Sequence, residues 1–149
     1  AGFRGLPHRC QLVRKVNGVR YVDDSKGTNV GATEAALTGL SSEGPIWLIL
    51  GGQGKGQDFS QLQQVVSEQC AGLLVLGQAA AEITDQLDCA ARIERVDTVE
   101  EAVLRASRLA RSGDTVLLSP ACASLDMFSS YVERGERFQC AVQALEVAS

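Results

Sequence analysis

Two of the three lysines in this chain stand in short loops of small residues, Lys26 in Asp24-Ser25-Lys26-Gly27-Thr28-Asn29 and Lys55 in Gly51-Gly52-Gln53-Gly54-Lys55-Gly56. Arginines outnumber lysines eleven to three, so the placement is selective. A lysine ammonium is a compact point charge, glycines let backbone N–H groups approach a ligand, and hydroxyls add short donors. Such a set suits a carboxylate or a phosphate. A third loop, Ser119-Pro120-Ala121-Cys122-Ala123-Ser124-Leu125-Asp126, is equally small in its residues. Ser119-Pro120 forces an extended turn, and Ser124-Leu125 then opens a helical turn whose N–H groups offer a second place for a carboxylate. Plainer readings stand beside these: Lys26 and Lys55 as solvated turn lysines, Ser124 as an ordinary N-cap. Four glycines within six residues cost backbone entropy, which favours a packing or ligand reason around Lys55. Asp24, beside Ser25, is placed either to cap a turn or to accept hydrogen bonds from a ribose or an amine.

Familiar chemistry is excluded by spacing. A Walker loop needs Gly five residues before the Gly-Lys pair and Ser or Thr after it, where this chain has Ile49 and Gly56. The dinucleotide fingerprint fails because Gln57 stands where its third glycine belongs. Ser124 lacks the G-x-S-x-G frame of a hydrolase nucleophile, and Cys122 reads as small packing rather than a nucleophile. The only histidine, His8, and its neighbour Arg9 precede the first strand and read as surface residues, Arg9 meeting an anion if another domain faces it. One histidine and no cysteine cluster leave no all-protein metal site.

The elements that must carry these loops follow from periodicity. Gln11–Val16 and Val19–Asp23 flank Asn17-Gly18, a strong hairpin signal because both central positions of a type I′ turn need φ > 0. Helix and strand then alternate: a helix over 30–40 opened by Thr28 or Asn29, a strand over 46–50, a helix over 59–68, a strand over 73–76, a helix over 79–87 and a strand over 92–96. Thr98-Val99-Glu100-Glu101 is a capping box opening a helix that Ser112-Gly113 ends. Thr115–Leu118 is the last strand, and a final helix carries Tyr131, Phe138, Ala141, Val142 and Leu145 on one face. The fold class is α/β: an open, mostly parallel, Rossmann-like sheet of about six strands, its first strand antiparallel, with helices on both faces. Ligands in such sheets bind at the carboxyl ends of strands, where all three loops lie.

The chain has 149 residues, enough for one domain that buries about 70% of its unfolded surface. A net charge of −4 with scattered basic residues argues against nucleic acid or a polybasic membrane contact. Five cysteines without C-x-x-C spacing read as reduced thiols in the cytoplasm, and no apolar run approaches a membrane span. The absence of an initiator Met leads us to expect a piece of a longer protein, with 1–7 the remnant of an interdomain linker and 8–149 a single domain.

Together, Gly5-Leu6-Pro7-His8-Arg9, Asp24-Ser25-Lys26-x-Thr28-Asn29, Gly51-Gly52-x-Gly54-Lys55 and Ser119 to Asp126 with Phe128 closely resemble the carboxyl-terminal domain of the Mur ligases, and among them the MurD type. The resemblance spans nearly the whole chain. The Asp-Asn-Pro-Arg motif of the sibling that adds diaminopimelate or lysine is absent. It implies an ATP-dependent acid–D-amino-acid ligase of peptidoglycan precursor synthesis, serving cell shape and division. ATP phosphorylates the UDP-N-acetylmuramoyl-L-alanine carboxylate, and the D-glutamate amine attacks the acyl phosphate. By resemblance, Lys26, Thr28, Lys55, Ser124 and the Leu125 backbone hold D-glutamate, Tyr131 lies near the site, and Arg9 and Asp24 reach ATP or ADP across an interdomain cleft. ATP and Mg are held mainly by a central domain outside this chain, so the chain alone is expected to be an inactive monomer. Tyr131 stands where the family has Phe, and Gln53 where some relatives have an acidic residue. The alternatives are the terminal domain of another ATP-dependent amide ligase and a free-standing amino-acid or anion-binding module.

Overall fold

The computed structural model describes residues 8–54, 56–87, 92–124 and 128–147; the expected linker remnant at 1–7 lies outside them. Six strands form one sheet: β1 (Gln11–Val16), β2 (Val19–Asp23), β3 (Ile46–Gly51), β4 (Cys70–Leu76), β5 (Arg92–Arg95) and β6 (Thr115–Leu118). Their spatial order is β1-β2-β6-β3-β4-β5, with β1 antiparallel to β2 and every other pair parallel. The hairpin turns on Asn17 (φ 53°) and Gly18 (φ 81°), the pair of positive φ values that a type I′ turn requires.

Helices α1 (Val30–Gly39), α2 (Gln63–Gln69) and α3 (Ala80–Gln86) cover one face of the sheet, and α4 (Val99–Leu109) and α5 (Tyr131–Gln143) cover the other. Alternation along the strands fills both layers. Ile46, Leu48, Leu50, Leu73, Val75 and Leu117 point into the first, whereas Trp47, Ile49, Leu74, Leu76, Val116 and Leu118 point into the second. Central parallel strands buried on both faces read as the near-continuous apolar runs seen in β3 and β4.

Boundaries differ from the sequence reading where side chains intervene. Asn29, not Thr28, caps α1, its side chain accepting from the Ala32 N–H at 2.9 Å. The helix expected over 59–68 is a 3-10 turn at Phe59–Leu62, opened by Asp58 accepting from the Ser60 N–H, that runs into α2. Strand β4 starts at Cys70 because its register on β3 begins with Ile46 opposite Cys70. Helix α4 keeps its Thr98 cap but ends at Leu109. Asp114 accepts from the Arg111 N–H and from the Trp47 indole, closing a turn over 111–114 that holds Ser112-Gly113. Leu145 lies past the end of α5 and still packs on its core layer.

Candidate functional site

Strands β2, β6 and β3 are adjacent in the sheet, so the three loops that leave their carboxyl ends meet along one edge. The first loop is held from below by Asp23, fully buried at the end of β2. Its Oδ1 accepts from the Ser25 N–H at 2.9 Å, and its Oδ2 accepts from Gln139 Nε2 at 2.8 Å and lies 2.6 Å from His8 Nδ1. Asp24 follows with Oδ1 taking the Cys10 N–H (3.2 Å) and Oδ2 taking the Ser119 hydroxyl (2.7 Å). Burial raises the Asp24 carboxyl above its ordinary value, against the opposing hydrogen bonds from Ser119 and Cys10. The same environment pushes the Cys10 thiol up to about 12, through burial first and the Asp24 charge second.

The third loop is tied to the first by Ser119, whose hydroxyl also reaches Thr33 Oγ1 on α1, and by the Ala121 N–H donating to Gly27 O at 2.9 Å. Ala121 has φ 61°, a left-handed conformation unusual for alanine. Gln57 Nε2, donating to Ala121 O at 2.7 Å, helps to hold it. The second loop is fastened chiefly by main chain: Gly51 N–H to Pro120 O, Ala79 N–H to Gly52 O, and paired bonds between Gln53 and Ala123. Gly51 and Gly52 have φ of 134° and 136°, and a Cβ on either would stand 1.9 Å from Leu76 O or 2.4 Å from Ala123 O. Only glycine fits there.

The residues singled out from the sequence are distributed as follows. Lys26 is exposed, its ammonium 5.9 Å from the centroid of the Tyr131 ring, within cation–π reach. Tyr131 in turn meets the His8 ring edge-on at 6.3 Å. Arg9, Asp24, Lys26 and Gly27 line one depression of about 280 Å3 beside α1. Thr28 is half-buried on the rim of its loop. Ser124 is buried and does not cap α5, which Ser130 does by accepting from the Glu133 N–H. The Ser124 carbonyl accepts from the Phe128 N–H at 2.8 Å. Cys122 is buried in the core, as its packing role requires. Lys55 and Leu125 lie outside the described residues. The start of α1 is partly used by the protein itself, since the Val30 and Ala32 N–H groups are taken by Gln57 and Asn29.

His8 corrects the sequence reading: it is not a surface residue but is buried at 9% exposure, held by Asp23 and covered by α5. Gly135 allows that cover, because a Cβ there would stand 2.2 Å from His8 Nδ1. The larger omission is Arg134, 2% exposed. Its Nε donates to Ser25 Oγ (3.0 Å), one terminal nitrogen to Cys122 O (3.0 Å) and the other to Ser25 O (2.8 Å), while Ser25 Oγ donates to Tyr131 O (2.6 Å). One guanidinium therefore fixes the first loop to the third and sets the start of α5. Its sequence signal was present: position 134 falls on the inward stripe with Tyr131 and Phe138. Among the described residues no group of three His, Cys, Asp or Glu side chains is arranged to hold a metal ion, and no helix is long and apolar enough to cross a membrane.

Comparison with known proteins gives this edge a context. Residues 8–122 match the family described as Mur ligase, glutamate ligase domain. A curated relative in Pseudomonas savastanoi pv. phaseolicola, named UDP-N-acetylmuramoylalanine--D-glutamate ligase, is 54% identical over 145 residues, covering 96% of this chain and 32% of the relative. The chain thus spans about a third of the length of the curated relatives it matches. Among solved structures, a murein peptide ligase from Psychrobacter arcticus shares the fold with a TM-score of 0.66 at 15% identity, covering 99% of this chain and 32% of that one. A MurF ligase from Thermotoga maritima, solved in complex with ADP, does so with a TM-score of 0.62 at 19% identity, covering 96% and 33%.

Proposed function

This chain belongs to the Mur ligase family through its glutamate ligase domain, and from that premise we propose that it is the domain that presents D-glutamate to an activated UDP-N-acetylmuramoyl-L-alanine carboxylate. The supporting observation is the adjacency of β2, β6 and β3, which sets the Lys26, Ser124 and Lys55 loops along one edge of the sheet. D-Glutamate has two carboxylates, and a cationic loop residue with a hydroxyl-bearing turn is the chemistry that receives them. In this reading Lys26, Thr28, Lys55, Ser124 and the Leu125 backbone hold the amino acid, with Tyr131 packing beside the Lys26 ammonium.

Arg9 and Asp24 face the nucleotide across the cleft to the rest of the ligase. The fit is partial. Arg9 offers an exposed guanidinium at the depression it shares with Lys26, whereas the Asp24 carboxylate already serves Cys10 and Ser119. ATP with Mg, held mainly by the other domains, supplies the phosphoryl group that activates the acceptor carboxylate. The protein works in the cytoplasm, where this precursor is assembled, and supports cell shape and division through it.

The test is made in the full-length ligase. Lys26→Ala and Lys55→Ala each raise the D-glutamate KM about 10-fold to 150-fold, the loss of one charged hydrogen bond of about 1.5–3 kcal/mol, with the fold intact. An unchanged KM and kcat returns either lysine to a solvated turn. The chain alone binds D-glutamate weakly and hydrolyses no ATP, because the opposite wall of the site is elsewhere. Micromolar D-glutamate binding by calorimetry, or turnover that survives repurification, favours a free-standing binding module.

A further inference from the structure

The loop after β6 carries Ser124 between points of attachment of different kinds. Ahead of it, Cys122 O accepts from buried Arg134, and Ala123 pairs with Gln53 through main-chain bonds in both directions. Beyond it, the Phe128 N–H donates to Ser124 O at 2.8 Å. On that side Ser124 is held by whatever holds Phe128. The Phe128 ring is 6% exposed and packs into the core layer under α4 and α5, where a second arginine of α5 covers it. The guanidinium carbon of Arg137 lies 5.0 Å from the ring centroid, within cation–π reach.

The same guanidinium is aimed from α4. Its Nε donates to Oε2 of Glu100, in the first turn of that helix, and a terminal nitrogen donates to Oε1, both at 2.8 Å. Half-exposed ion pairs contribute little as a rule, but a bidentate fork is the geometry in which they do contribute. Burial pushes the Glu100 carboxyl up, and the hydrogen bonds from Arg137 outweigh it, so it lies below its ordinary value. A planar guanidinium can meet a carboxylate with its edge and a ring with its face at once, which an ammonium cannot. We propose that Arg137, aimed by Glu100 and lying over Phe128, is a positioning residue that fixes Ser124 for a D-glutamate carboxylate. This rests on the reading that Ser124 holds D-glutamate. Neither Glu100 nor Arg137 belongs to the three loops, so α4 and α5 reach the substrate edge through one aromatic ring.

Steady-state kinetics of the full-length ligase test it. Arg137→Gln is expected to raise the D-glutamate KM about two-fold to five-fold, the worth of one cation–π contact, with kcat and the ATP KM unchanged. Arg137→Lys recovers part of the loss. Because Arg137 acts through Ser124, the two effects should not multiply, and on a Ser124→Ala background Arg137→Gln adds little. The exchange Glu100→Arg with Arg137→Glu separates packing from positioning, since it restores the ion pair while setting a carboxylate over the ring. Its stability to urea should match wild type while its D-glutamate KM stays raised. Multiplying effects with Ser124→Ala overturn the inference, as does an exchange variant that recovers KM along with stability. If Ser124→Ala raises the KM and Arg137→Gln does not, the inference falls and the D-glutamate reading stands. If Ser124→Ala leaves the KM unchanged, that reading of the loop falls and the inference with it.

Discussion

The loops after β2 and β6 and the loop after β3 reach the same edge of the sheet by different means. The first two are fastened by buried side chains: Asp23, Asp24, Ser25, Ser119 and Arg134 exchange hydrogen bonds beneath them. The third is fastened mainly by its own main chain, with Gly51 and Gly52 pressed against Leu76 O and Ala123 O. A side-chain network lets a loop carry Lys26 on a stiff base. A glycine loop gives up side chains so that its backbone lies close to its neighbours.

The largest effect should come from the network. Arg134→Leu removes the guanidinium shared by Ser25 and Cys122 and leaves two buried carbonyls and a hydroxyl short of donors, a loss of about 3–5 kcal/mol by urea denaturation. Arg134→Lys recovers less than half, because an ammonium cannot span the three acceptors. Equal stability of wild type and Arg134→Leu would show that the main chain alone sets these loops. Next comes Gly52→Ala, expected to cost about 2–4 kcal/mol from a forbidden φ and a 2.4 Å approach to Ala123 O. If it is tolerated, the β3 loop is not held by close backbone contact and the contrast fails.

Asp24→Asn is the smallest and tests the electrostatics of the network. Burial raises the folded carboxyl above 3.8, so the folded state binds the proton more readily than the unfolded one. Wild-type stability therefore falls relative to the Asn variant as pH rises from 3.8 through the raised value, and the gap stays constant above it. At neutral pH the variant should lie within about 1 kcal/mol of wild type, because an amide keeps an acceptor for the Cys10 N–H. A disulfide reagent gives a second readout: exposed Cys140 reacts first, and Cys10, with its thiol at about 12, gains rate in Asp24→Asn. A difference in stability that does not vary with pH would remove Asp24 as a buried charge.

What could be read from the sequence was whatever depends on neighbours in the chain. Asn17-Gly18 announces the hairpin, Thr98 with Glu101 announces α4, and three strand ends followed by small-residue loops announce the edge those loops share, since parallel sheets put such loops on one side. What escaped depends on partners far along the chain. His8 and Arg134 carry polar heads that read as surface, and they are buried because Asp23, Ser25 and Cys122 supply acceptors from 12 to 109 positions away. The turn after α4 is local by contrast, closed by an Asp114 carboxylate that accepts from the Arg111 N–H three residues away, and only its bond to the Trp47 indole reaches across the chain. Of the candidate site, the loops and Lys26 were legible as local pattern, while the brace beneath them was not.

Among the described residues β6 is the last strand, and it sits between β2 and β3, which end at Asp23 and Gly51, long before it in the chain. During synthesis the sheet therefore waits in two pieces, each with a raw inner edge of unpaired N–H and C=O groups, until Thr115–Leu118 arrives to join them. At about 5–20 residues per second the interval lasts several seconds, time in which the β2 and β3 edges can pair with other chains. A chain truncated before Thr115 should accumulate as aggregate or be degraded, and the three loops should become protected from proteolysis together rather than one by one as that strand inserts.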